Sequence, residues 1–180
     1  MLHLALLRGI NVGGKGRLPM LELAAIFTEA GSSDVQTYIQ SGNVIFAAEH
    51  PAEVCARVTG AITARYGYTG RIVLRSAAEL EAVFRNNPFA EAGTPDTTLH
   101  VYFLEDVPAP DAVQALDPAR SLPDAFRVQG REIYLHLPNG MARTKLTNAY
   151  FDSKLKTVST ARNWNTVRAL VERMEEPSGA

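Results

Sequence analysis

A chain of 180 residues with a formal net charge of −1 suits one compact domain, or two small ones sharing a core. That charge argues against general binding to nucleic acid or to a membrane surface, and 46% apolar against 21% charged residues is an ordinary globular composition. One cysteine, Cys55, leaves no internal disulfide to form and fits a reducing cytoplasm; no stretch reads as a leader peptide or a membrane span.

Leu2 to Arg8 is apolar enough for an inner strand. A loop follows with Gly9, Gly13, Gly14 and Gly16 beside Lys15 and Arg17. Pro19 opens a helix to Ala30, with Leu21, Leu23, Ala24 and Phe27 as its apolar stripe and Gly31 as its stop. Val35 to Gln40 alternates at period two, and Asn43 to Phe46 continues it after a tight turn at Gly42, which predicts a hairpin. Pro51 to Tyr66 repeats Val54, Val58, Ala61 and Ile62 at helical spacing, with Cys55 as a small core residue. Arg71 to Leu74 is a short strand, and Ser76 caps a helix to about Asn86, with Glu79 as its capping-box partner. The order is β-α-β-β-α-β-α.

Past Asn87-Pro88, Gly93 and Pro95 the order returns: strand Thr98 to Leu104, short helix Pro110 to Leu116, and a hairpin of Phe126–Gln129 and Glu132–Leu137 around Gly130. A helix from Thr147 to Lys156 shows Tyr150, Phe151 and Leu155 on one side. Thr157 to Thr160 has strand character, and a closing helix after Asn163 carries Val167, Leu170, Val171 and Met174. The repeat is one of topology; the halves do not align residue by residue. A βαββαβ order is the ferredoxin-like arrangement, so the expectation is an α+β protein of two such units in tandem, residues 1–87 and 96–176, with a frayed tail at 177–180. His100 and Tyr102, with Tyr134 and His136, are expected to line the less apolar face of the second sheet. No cysteine or carboxylate at ligand spacing joins the two histidines, and no metal is expected.

The glycine loop is the densest chemical signal. Glycines after a buried strand admit φ > 0 and bring bare N–H groups close to a ligand, and two cations beside them point to an anion. Gly9 to Lys15 fits GxxxxGK, but residue 16 is Gly, which removes the hydroxyl that would hold magnesium. The late helix start at Pro19, the antiparallel order and the lack of an apolar strand ending in Asp exclude a phosphate-loop ATPase. A looser anion cradle remains, against a purely conformational loop.

Three other stretches are more polar than packing requires. Gln40, Ser41 and Asn43 cluster at the first hairpin turn, where turn chemistry explains the latter two better than Gln40. Arg143 and Lys145 precede a helix whose N-cap is Thr147; cations ahead of a positive helix end suggest an anion between them. Arg162, Asn163, Trp164 and Asn165 open the last helix, where capping uses one asparagine and not both.

On ALLRGINVGGKG, TYIQSGNVIF, KLTNAYFDSKL and TARNWNTV, the chain resembles the bacterial family catalogued as domain of unknown function number 1697, over nearly its whole length. The resemblance implies a small soluble protein of two linked ferredoxin-like units. It supplies no catalytic residues, and it adds weight to Arg8, Gly9, Asn11, Gly13, Gly14, Lys15, Gln40, Ser41, Gly42, Asn43, Lys145, Leu146, Thr147, Asn148, Arg162, Asn163, Trp164 and Asn165. The leading expectation is a binder of a phosphorylated or nucleotide-like small molecule, held in a cleft formed by the glycine-rich loop and the C-terminal polar segments. In it Lys15, Lys145 and Arg162 supply charge, Trp164 a wall, and Gln40 and Asn43 polar readout. An enzyme working by positioning comes second, because these segments hold almost no general base. A nucleic-acid binder comes third, because the strand Asn43 to Phe46 carries one aromatic where an RNA-recognition sheet pairs them. A partner-binding module without a ligand is the bland alternative. Neither cofactor nor oligomeric state follows from the sequence.

Overall fold

The computed structural model describes residues 1–10 and 17–175. Within them the order is β1 (Leu2–Leu7), α1 (Met20–Glu29), β2 (Ser33–Tyr38), β3 (Asn43–Ala47), α2 (Pro51–Tyr66), β4 (Ile72–Ser76) and α3 (Ala77–Arg85). There follow β5 (Leu99–Leu104), α4 (Pro110–Gln114), β6 (Ala125–Gln129), β7 (Glu132–His136), α5 (Asn148–Leu155), β8 (Ser159–Asn163) and α6 (Trp164–Glu175). The fold is α+β, with two four-stranded antiparallel sheets ordered β2-β3-β1-β4 and β6-β7-β5-β8. The chain clusters into two compact units, Met1–Leu80 with Leu170 onward, and Glu81–Ala169. The division falls inside α3 and inside α6. No helix among the described residues is long and apolar enough to cross a membrane.

In the first unit β1 is apolar on both faces apart from His3, because both of its faces are covered. Ala5 and Leu7, with Val44 and Phe46, meet Leu23, Ile26 and Phe27 of α1 and Val54, Val58 and Ile62 of α2. Leu4, Leu6 and Ile45 point to the opposite face and are equally buried. The stripe of α1 differs from expectation: Leu21 is 87% exposed, and the buried set Leu23, Ile26, Phe27 and Ala30 follows the i, i+3, i+4, i+7 rule. α2 starts on Pro51 and stops on Gly67 in the left-handed conformation, φ 66°. The capping box at α3 forms as expected: Ser76 Oγ accepts from Glu79 N at 3.2 Å, and Glu79 Oε2 accepts from Ser76 N at 2.8 Å. On the reverse face of the sheet, the Arg173 guanidinium lies 4.7 Å over the Tyr38 ring.

In the second unit Tyr102, Leu104, Ile133 and Leu135 pack against Tyr150, Phe151 and Leu155. The four residues expected on one sheet face divide instead between two. His100 is level with Leu135, while Tyr134 is level with Val101, so the register puts His100 and Tyr102 on the helix-packed side and Tyr134 and His136 on the other. There Tyr134 donates its hydroxyl to Val83 O of α3 at 3.0 Å. The last strand also runs further than expected, to Asn163: Ser159, Ala161 and Asn163 share the helix-packed side opposite Leu104, Tyr102 and His100, while Thr160 and Arg162 pair with Phe103 and Val101 on the other.

Strand register aligns the halves more closely than topology alone. His3 lies between Phe46 and Ser76, and His100 between Leu135 and Asn163. Leu4 opposes Arg75 as Val101 opposes Arg162. Both arginines are buried, 1% and 7% exposed, and each Nη1 donates to the preceding carbonyl, Leu74 O at 2.9 Å and Ala161 O at 2.8 Å. One arrangement is built twice.

Candidate functional site

β1 leaves its sheet at Leu7, whose N–H donates to Gly42 O at 2.9 Å; Arg8 N then donates to Arg71 O at 3.0 Å. Gly9 takes φ 69°, and Ile10 turns back into the core. Two other glycines are required here by space. A Cβ on Gly42 (φ 78°) would stand 2.5 Å from Ile10 Cγ2 and 2.9 Å from Leu7 Cβ, and one on Gly70 would stand 2.5 Å from Arg8 O. The Tyr68 hydroxyl donates to the same Arg8 carbonyl.

Beside these contacts lies an open cavity of about 540 Å³ within the first unit. Arg8 and Gly9 form one edge. Ile10, Leu18 and Ile62 form the apolar floor, and the turn from Tyr66 through Gly70 forms the far wall. Arg8 is half-buried and Gly9 exposed. Tyr66, Tyr68, Thr69 and Gly70 were missed from sequence, although the Tyr-Gly-Tyr-Thr-Gly string carries a turn signal between a helix and a strand. Asn11, Gly13, Gly14 and Lys15 lie outside the described residues.

The other expected residues occupy distinct places. Asn43 is fully buried and clasps its own hairpin, donating to Tyr38 O at 3.0 Å and to Ser41 Oγ at 2.9 Å. Gln40 is exposed beside it. In the second unit Thr147 caps α5, its Oγ1 accepting from Tyr150 N at 3.2 Å. Asn148 donates to Ser159 Oγ at 2.8 Å, and that hydroxyl donates to Asp152 Oδ1 at 2.7 Å, tying α5 to the start of β8. Lys145 is exposed while its backbone is anchored, N–H to Ser121 Oγ at 2.9 Å and carbonyl to Arg120 Nε at 2.9 Å.

Asn163 and Trp164 sit at the opposite end of β8 from Ser159, four residue steps or ~13 Å along the strand. Asn163 Oδ1 caps α6 by accepting from Thr166 N at 2.9 Å, leaving Asn165 exposed. Trp164 is 2% exposed and stacks on Phe84 with ring centroids 5.1 Å apart. Arg162 Nη1 also donates to Thr160 Oγ1 at 2.9 Å. The second unit therefore separates Lys145, Thr147 and Asn148 from Arg162, Asn163 and Trp164.

Burial pushes the Cys55 thiol up to about 12, which leaves it protonated and inert at neutral pH. Among the described residues no three His, Cys, Asp or Glu side chains come together as metal ligands would.

A family model described as "Protein of unknown function (DUF1697)" matches residues 1–134. The chain belongs to this DUF1697 family. The matched span holds every residue of the cavity, together with the ALLRGINVGGKG and TYIQSGNVIF strings; the two C-terminal strings lie beyond it. Among solved structures, the chain is similar to a conserved bacterial protein, SP0830, from Streptococcus pneumoniae. The two share 22% identity at a TM-score of 0.73, over 97% of this chain and 98% of that one, a likeness of fold. No curated protein matches.

Proposed function

We propose that this DUF1697 protein binds an anionic small molecule, phosphorylated or nucleotide-like, at the end of β1, and that each of its units is a ferredoxin-like module. The observation that carries the reading is the 540 Å³ cavity whose edge is Arg8 and Gly9. That volume is within the usual range for small-ligand sites, and the cation sits on the rim where the glycine loop departs. Asn11, Gly13, Gly14 and Lys15 follow the wall residue Ile10 in the sequence, and in this reading they supply further N–H donors and a second cation. Asn43, Thr147, Asn148, Asn163 and Trp164 have local bonds or packing that account for them without a ligand.

Binding is favoured over acid–base catalysis because the described wall carries no carboxylate, histidine or cysteine. A sheet-face nucleic-acid platform is disfavoured because Leu4, Leu6 and Ile45, on the first sheet's reverse face, are covered.

A thermal-shift screen with nucleotides, sugar phosphates, inorganic phosphate and oligonucleotides tests the reading. A ligand at a hundred times its dissociation constant adds about 2.7 kcal/mol of stability. Arg8→Ala and Lys15→Ala should each reduce that gain. If no anion shifts the transition, or if both variants respond as the parent does, the reading fails.

A further inference from the structure

We infer that Tyr68 is a positioning residue of this site: its bond to the Arg8 carbonyl holds the Gly9 N–H as a fixed, open donor to the anion. The inference rests on the anion-binding reading above and deepens it. α2 stops on Gly67, and the chain folds back with Thr63 Oγ1 donating to Tyr68 O at 2.6 Å. The Tyr68 ring then crosses Gly70, where a Cβ would run into it, and its hydroxyl reaches the Arg8 carbonyl. The Arg8–Gly9 peptide is trans, so its C=O and N–H point in opposite directions. Tying the carbonyl to Tyr68 therefore also sets the direction of the Gly9 N–H. Among the described residues that N–H meets no acceptor. Gly9 is exposed, at the cavity edge beside Arg8.

The second unit supplies the contrast. Glu105 N reaches Val158 O as Arg8 N reaches Arg71 O, which makes Asp106 the counterpart of Gly9 and Thr157 the counterpart of Gly70. Asp106 N donates to Thr157 Oγ1 at 3.1 Å. Gly70 has no hydroxyl to offer, so the donor that one copy of the scaffold closes is left open in the other. The first unit ties the opposite end of the same peptide instead. A donor whose direction is already fixed loses less freedom when an anion arrives, and hydrogen bonds to charged groups are among the stronger ones.

Isothermal titration of the full chain with inorganic phosphate and with adenosine monophosphate tests the inference, on the parent, Arg8→Ala, Tyr68→Phe and Gly70→Ala. Tyr68→Phe keeps the ring and removes only the hydroxyl; it should weaken both anions about tenfold, the size of one hydrogen bond to a charged group. Gly70→Ala, whose Cβ pushes the ring off the Arg8 carbonyl, should reproduce that loss. Gly130→Ala, in the second unit, should bind both anions as the parent does. The readout that mere support of the fold would not move is the Gly9 amide proton in NMR spectra. Saturating phosphate should shift it in the parent and shift it less in Tyr68→Phe. Binding that is lost in Arg8→Ala but unchanged in Tyr68→Phe would overturn the positioning role and leave the anion site standing. An unmoved Gly9 amide in the saturated parent, or equal weakening in Gly130→Ala, would do the same. No binding of either anion by the parent overturns both. If Tyr68→Phe does not fold, the Gly9 amide of the parent still decides.

Discussion

The two units repeat one another down to single hydrogen bonds and part in their loops, most usefully at the end of the first strand of each. Leu7 N reaches Gly42 O as Leu104 N reaches Arg131 O, and Arg8 N reaches Arg71 O as Glu105 N reaches Val158 O. Beyond that bond the first unit spends residues 8–19 before α1 begins, while the second spends only residues 105–109 before α4. The residue at the strand end changes sign, Arg8 against Glu105. Gly42 stands where the second hairpin has Arg131, because Ile10 of the longer loop fills the space a side chain would need. A repeated scaffold whose loops differ helps to separate packing from function. What both halves share, such as Arg75 and Arg162 or the caps at Ser76 and Asn163, belongs to the scaffold; what the first unit alone carries surrounds the cavity.

The largest test of that division is Trp164, which follows Asn163 as Ala77 follows Ser76. As a buried ring stacked on Phe84 it is scaffold, and Trp164→Ala should destabilise the protein by about 3–5 kcal/mol in urea denaturation. A variant with parental stability and lost ligand binding would move Trp164 into the site and blur the comparison.

Gly42 and Gly130 sharpen it next. Both hold a left-handed conformation, φ 78° and 56°, but a Cβ on Gly130 meets nothing nearer than Glu132 Oε2 at 3.8 Å. Gly130→Ala should cost about 1–2 kcal/mol from backbone strain. Gly42→Ala adds the collision with Ile10 and Leu7, about 1–3 kcal/mol more. Equal losses in denaturant titrations would show that Ile10 yields freely and that the loop root is not fixed by packing.

Much of this fold is legible in the sequence, for local reasons. Element order, the Pro51 start, the Ser76 box and the Thr147 cap follow from local chemistry that tertiary contacts did not override. The face of His100 against Tyr134 is illegible because it depends on cross-strand register, which a single strand's period does not specify. Arg162 reads as a site residue because a cation in a strand looks like chemistry; its counterpart Arg75, in an apolar string, gives no such signal, and only the paired register shows them to be one feature. The cavity wall from Tyr66 to Gly70 is hidden because it forms where α2 turns back toward Arg8, sixty residues away in the chain.

The smallest effect concerns the matched histidines. Burial lowers the pKa of His3, only partly offset by a hydrogen bond to the Ala48 backbone, and burial likewise lowers that of His100. In the unfolded chain both titrate near the ordinary 6.5. As pH falls through that value the unfolded chain takes up protons that the folded one refuses, so stability is highest above 6.5 and declines on acidification. The decline is at most about 1.4 kcal/mol per pH unit for each histidine. Between about pH 7 and 5.5, above the ordinary carboxylate range, His3→Gln and His100→Gln should each flatten the slope of stability against pH, and the double variant should flatten it most. The slope, rather than the level, is the readout, since either substitution also alters packing. Flattening from one histidine alone would mean that the two equivalent positions share a register but not an environment, and the repeat would then be one of backbone rather than of buried side chains.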